Sequence, residues 1–170
     1  MLFAAGCSQH RNAEPKANTS PNSAILDEVD QAKSWFHAKK VRPIWAKRLE
    51  KDETVQTIEG IENVRAGAYL WRGEAGDLWP QTEKNLLDRY EKTSDTDAEG
   101  WSKYLPRPDN QGVMAAQVNH PFTVHGKWAV LSGKAGDYIV KNYADRDMPN
   151  PDDVWIVDRR LFHSTYEAVK

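Results

Sequence analysis

The chain has 170 residues, 39% of them apolar, with a mean hydropathy of −0.76; this suffices for one ordinary domain or two small ones and excludes a protein of several membrane-spanning helices. With 23 Lys and Arg against 25 Asp and Glu, the formal net charge is −2, so no overall electrostatic drive brings it to nucleic acid or anionic lipid. Cys7 has no second cysteine to pair with, which excludes an intrachain disulfide and leaves the fold to its core.

The chain opens Met1-Leu2-Phe3-Ala4-Ala5-Gly6-Cys7-Ser8 and then turns polar as far as Ser20. The stretch Ala4-Ala5-Gly6-Cys7 resembles the end of a bacterial lipoprotein signal, where small residues admit a peptidase that cleaves before a cysteine destined for lipid. Only Met1 to Ala5 precede Gly6, short of the roughly 7–15 apolar residues of a secretory leader, and Ala4 stands where leucine is usual; a start codon assigned too late explains the shortage. Residues 1–19 are therefore expected to be a lipobox-like stub and flexible tether, with Cys7 as the lipidation site and membrane attachment through it. Ser8 would suit retention at the outer membrane, which implies a periplasmic location. The other reading is a cytoplasmic chain whose thiol is incidental.

Ser20-Pro21 is a helix-start signal, serine capping free N–H groups and proline being tolerated at the first helical position. Ile25, Val29, Ala32 and Phe36, with Leu26 and Trp35 alongside, recur at helical spacing. The spacing predicts one amphipathic helix over 20–40, docked on the domain that follows.

Beyond Lys40 the chain matches itself. Ala66-Gly67-Ala68-Tyr69-Leu70 corresponds to Ala135-Gly136-Asp137-Tyr138-Ile139, and Trp79, Leu86 and Tyr90-Glu91 are spaced like Trp155, Phe162 and Tyr166-Glu167. Upstream, Val41 to Trp45 is set against Val113 to Gln117. The fold class predicted is α+β: two tandem small β-rich modules, 41–93 and 112–170, each with a short helix, joined by a linker over 94–111 and preceded by the N-terminal helix. Within each, a strand is followed by a second (Thr54 to Ile58; Phe122 to His125) and then by an Ala-Gly turn that needs φ > 0. An aromatic-aliphatic strand comes next (Tyr69 to Trp71; Tyr138 to Val140). The second copy has a longer loop, 19 positions from Gly136 to Trp155 against 12 from Gly67 to Trp79.

Gly136-Asp137-Tyr138-Ile139-Val140, Val154-Trp155-Ile156-Val157 and Phe162-His163-Ser164-Thr165-Tyr166-Glu167 together resemble a compact module found in many phage and bacterial proteins, most of them uncharacterised. The likeness covers about the last sixty residues; the first copy departs from it at Ala68, Leu86 and Arg89. The resemblance implies a fold and no activity.

Signatures of chemistry are sparse. Gly133-Lys134 lacks the upstream glycine of a phosphate loop, and neither Cys-x-x-Cys nor His-Glu-x-x-His occurs. His120 and His125, five apart in a predicted strand, point to opposite faces. The loop from Tyr143 to Asp153 gathers four aspartates and an asparagine but lacks an EF-hand spacing. No catalytic residue, metal site or cofactor is therefore predicted. Aromatic residues are the compositional oddity, with seven tryptophans and six tyrosines. Those at matching positions suit core duty, whereas those that differ between copies or join them are the binding candidates: Trp71 (opposite Val140), Trp101, Trp128 and Tyr143, each able to stack on a sugar or anchor a protein. The expected function is a non-catalytic, envelope-associated binding or interaction protein for a protein or cell-wall glycan, with no nucleic acid partner. The alternatives are a small enzyme with an intermodule cleft and a cytoplasmic phage-related accessory protein that binds a host factor.

Overall fold

The computed structural model describes residues 20–58 and 60–170, so Cys7 and the lipobox-like stub lie outside the described residues. The fold is α+β, with short helices and antiparallel sheets. Helix α1 (Ser23–Gln31) buries Ile25, Leu26 and Val29. Its start is held by Ser20, whose carbonyl accepts from Ser23 N at 3.0 Å and whose hydroxyl accepts from Asn22 N at 3.4 Å. The helix stops well short of residue 40. Lys33 takes a left-handed conformation (φ 51°), and Ser34 N donates back to the Val29 carbonyl at 3.3 Å, a C-terminal closure that turns the chain out of the helix. Phe36 to Lys40, expected to be the end of that helix, instead form strand β1 (Phe36–Lys40), with Ala38 fully buried.

The next strands are β2 (Ile44–Arg48), β3 (Glu53–Gln56), β4 (Ile61–Val64), β5 (Tyr69–Arg72) and β6 (Leu78–Gln81), followed by helix α2 (Glu83–Arg89), β7 (Tyr90–Thr96) and β8 (Ser102–Pro106). After them come β9 (Val113–Gln117), β10 (Phe122–His125), β11 (Val130–Gly133) and β12 (Tyr138–Asn142), a 3-10 turn at Tyr143–Asp145, β13 (Val154–Val157), α3 (Arg159–Thr165) and β14 (Tyr166–Ala168). The segment 94–111 is thus not a bare linker, since it contains the end of β7 and all of β8.

One five-stranded sheet has the order β6-β5-β2-β8-β7 and the other β13-β12-β9-β1-β14; hairpins β3-β4 and β10-β11 accompany them. The registers correspond residue by residue. Arg48 pairs with Tyr69 and Ala46 with Trp71, as Gln117 pairs with Tyr138 and Ala115 with Val140, and Trp71 faces Trp79 as Val140 faces Trp155. Tyr90 opposite Pro106 in β8 matches Tyr166 opposite Lys40 in β1. Ile44 therefore takes the place of Val113, three residues beyond the alignment drawn from Val41.

Matching turns support matching sheets. Leu49 exchanges backbone hydrogen bonds with Ala68 and Gly67, and Val118 does the same with Asp137 and Gly136. Gly67 and Gly136 have φ of 89° and 97°, where a side chain would be strained. Helix α2 starts on Thr82, whose hydroxyl accepts from Asn85 N, and α3 on Asp158, whose carboxylate accepts from Arg160 N and Leu161 N. Each helix buries one large residue, Leu86 or Phe162, onto its sheet. The Phe162 ring stacks on Tyr138 and Tyr166, with centroids at 3.9 and 4.7 Å.

Candidate functional site: a cleft between the two sheets

The four binding residues expected from the sequence do not share a surface. Trp71 is 2% exposed and packs edge-on against Trp79 and Tyr90, so it is not an outward platform. A cross-strand partner as large as Trp79 draws it into the core, where Val140 and Trp155 form the corresponding pair. Trp101 is also buried, at 4%, among Leu49, Val55, Val64 and Leu70. The Arg72 guanidinium lies 4.5 Å from its ring centroid, and Arg72 bonds Asp97 at 3.0 Å. In the other sheet Trp35, which likewise precedes its strand, carries Lys141 over its ring at 4.7 Å and donates to Asp30 at 2.6 Å. Both tryptophans are therefore structural clamps around a cation.

Asp97 and Lys141 titrate as these clamps dictate. Burial raises the Asp97 carboxyl, but the N–H groups of Trp101 and Glu99 and the Arg72 guanidinium outweigh it and hold the group below the usual range. Burial pulls the Lys141 ammonium down, against Asp30, Asp145 and Asp147; its Nζ donates to the carbonyls of Arg146 and Met148 at 3.1 Å each and so braces the long loop. Tyr143 sits at the start of that loop, half-buried, stacked 4.0 Å from His37 with Arg146 across its ring at 4.6 Å. The aspartate-rich loop gathers no metal-ligand cluster among the described residues.

Of the four, Trp128 lines a cleft between the sheets, while Tyr143 lines a separate cavity of about 570 Å³ with Asn85, Arg89 and Asn142. Edge strands β6 and β13 and the β10-β11 turn wall a cleft of about 70 Å³, lined by Trp79, Trp128, Trp155, Pro80 and Leu131 and predominantly apolar. Trp79 and Trp155 reach it from equivalent positions of the two sheets. Asp77, Lys127 and the buried Glu62 add polar groups. Ile58 at its edge is 51% exposed, and Ile61 and Val130, each next in sequence to a lining residue, are 61% and 54% exposed. Along β4 and β11 side chains alternate, so Ile61 and Val130 face solvent on the side opposite the buried Glu62 and Leu131, and Ile58 is the exposed apolar residue of the cleft lining.

A second, smaller cavity of about 20 Å³ shares Lys40, Trp79, Gln81, Trp155 and Tyr166 with the cleft and is lined as well by Arg89, Tyr90 and Trp71. Tyr90 and Tyr166 are again equivalent positions. Lys40, Arg89 and Trp71 are not matched in kind: Pro106, Thr165 and Val140 occupy their counterparts. Lys40 lies 3.7 Å from the centroid of Trp79, and Arg89 lies 5.6 Å from that of Trp155 while donating to Asn142. Burial pushes the Tyr90 hydroxyl well above its ordinary range, with Tyr166 adding and Arg89 opposing. Burial likewise brings Tyr166 up to about 12. Both phenols therefore keep their protons at neutral pH. Sequence reasoning missed Lys40 and Arg89 because residues 49 positions apart meet there only through the fold; Arg89 stood out as a departure from Thr165, whereas Lys40, read as the end of a helix, carried no signal.

No protein family, curated protein or solved structure matches this chain in the comparisons made.

Proposed function

We propose that the chain is two copies of one α+β module, the second completed by β1, and that together they form a non-catalytic protein-binding unit of the bacterial envelope. Tethering to the outer membrane would run through a lipidated Cys7. The observation carrying the binding assignment is the convergence of Trp79 and Trp155, equivalent residues of two sheets, on one predominantly apolar cleft with Ile58 exposed at its edge. Aromatic anchors in an apolar cleft suit a partner's side chain, which gains affinity by leaving water. A cell-wall glycan would share the aromatic contacts but has less use for the apolar lining.

The test is capture from envelope extract by the full chain and by Trp155→Ala and Trp128→Ala variants whose near-ultraviolet circular dichroism verifies the fold. A discrete protein retained by the parent and lost by both variants is expected; retention by both variants overturns the assignment, and release by muropeptide fragments redirects it to glycan. Incorporation of labelled palmitate that disappears on Cys7→Ser is expected of the tether, and equal labelling of that variant would sink it.

A further inference from the structure

The two sheets trade strands reciprocally. Trp35 leads into β1 and Trp101 into β8, and each of these strands opens a run of chain that continues as β2 to β7 or as β9 to β14. Yet β1 lies between β9 and β14, and β8 between β2 and β7. The joints agree as well, since Val41 N donates to the Thr165 carbonyl at 2.9 Å as Arg107 N does to the Arg89 carbonyl at 2.7 Å. Side-chain size fits each strand to the sheet it enters. Ala38 is fully buried in the sheet that carries the Tyr138, Phe162 and Tyr166 stack, whereas Tyr104, its counterpart in β8, is buried beside the smaller Leu86. With each strand in its own sheet, alanine would leave a void near Leu86 and tyrosine would crowd Phe162, and both changes are destabilising. Helix α1 crosses over with β1, burying Ile25, Leu26 and Val29 in one cluster with Val118, Phe122 and Ile139.

Residues 20–96 and 102–170 thus complete each other's sheets, and they are joined through residues 97–101, the β7-β8 turn. That turn is held by local bonds: Asp97 Oδ1 accepts from Glu99 N at 2.9 Å and from Trp101 N at 3.0 Å, and Gly100 has φ 84°. The pairings of one half with the other are the same whether the halves belong to one chain or to two. We propose that a second copy of this chain is a partner for this surface: two chains open at residues 97–101 and exchange halves, giving a dimer of two complete units. A short connection supplies an effective concentration on the order of millimolar, so the closed chain prevails when dilute and the exchanged dimer when concentrated. In each unit of the dimer Trp79 comes from one chain and Trp155 from the other, so the dimer carries two clefts. The exchange depends on the strand pairings alone and is independent of what the cleft binds.

One preparation of the full chain carries biotin on Cys7 and another a fluorophore there, Cys7 being the sole thiol. The two are unfolded together in urea and refolded at total concentrations from about 1 μM to about 1 mM. The dimer-sized fraction from gel filtration is then passed over streptavidin. Retained fluorophore is expected to rise at least about tenfold across that range and to be absent when the preparations are mixed after refolding. A variant lacking Asp97 to Gly100 keeps Trp101 alone between β7 and β8, short of the two residues of the tightest common hairpin loops. It is expected to show twice the chain mass by light scattering, with the far-ultraviolet circular dichroism of the parent. No retention by the parent at the highest concentration overturns the proposal, whether or not the deletion variant folds. A folded monomer from the deletion overturns it too, as does equal retention without prior unfolding, which marks association of closed chains.

Discussion

In one sheet every strand comes from the stretch between Ile44 and Pro106, whereas in the other the strand between β9 and β14 is β1, far back at the start of the described chain. The slot is the same in both, since β8 pairs with β2 and β7 as β1 pairs with β9 and β14. What occupies it differs in chain order: β8 comes after both of its neighbours and lies more than fifty residues beyond β2, whereas β1 comes before both of its neighbours and closes a loop of more than seventy. The entropy of closing a loop grows only slowly with its length. A sheet position is consequently defined by the edges it must pair with and the core it must cover, and chain order is secondary. The price falls on folding order, because the second sheet is incomplete until β1 arrives.

Substitutions can test how far the likeness extends, beginning with the two residues that α3 and α2 bury. Phe162→Ala is expected to cost about 3–5 kcal/mol and Leu86→Ala about 2–5, by denaturant unfolding. The stacking of Phe162 on Tyr138 and Tyr166 places it at the upper end; a smaller loss at Phe162 than at Leu86 would show that the aromatic stack contributes little. A second test addresses the borrowed strand. Gly112 has φ 79°, and a Cβ there would come within 2.2 Å of the Ala38 carbonyl oxygen. Gly112→Ala is expected to cost on the order of 2–3 kcal/mol and to raise amide exchange in β1 and β14 more than in β8 and β7. Uniform acceleration across both sheets would mean that they unfold as one unit.

The smallest effect is electrostatic and concerns α1, for which the other sheet has no counterpart. The Pro121 carbonyl and then Glu28, which His120 contacts at 2.7 Å, raise the His120 pKa above its ordinary value. A raised imidazole pKa means that the folded state holds the proton more tightly. The contribution is therefore complete below the unfolded value of about 6.5 and disappears as pH rises through the folded one. His120→Gln should flatten the stability profile above about pH 6.5, measured by denaturation midpoints across pH; an unchanged slope would mean the pair is too well solvated to matter.

Much of this architecture was legible in local chemistry. Gly67 and Gly136 mark turns that need positive φ, and the shared spacing of Trp79, Tyr90, Trp155 and Tyr166 is accompanied by corresponding strand registers. The candidate site was less legible. The difference between Trp71 and Val140 pointed to an outward side chain, yet Trp71 is buried, because cross-strand packing against Trp79 sets its environment. Trp101 escaped for a similar reason: its segment reads as a linker until β8 is seen between β2 and β7, with Arg72 across the indole.

The sequence by itself determined where the chain turns, where helices can begin, and which residues alternate between two faces, because these follow from backbone sterics and from hydrogen bonds a few residues apart. Only the tertiary structure decided that Phe36 to Lys40 would be a strand and that Lys40, Arg89, Trp71 and Tyr90 would meet. Phe36 and Trp35 satisfy a helical period as readily as Phe36, Ala38 and Lys40 satisfy an extended one. What settles the choice is the row of backbone donors and acceptors that β9 and β14 present, and those strands lie more than seventy residues away.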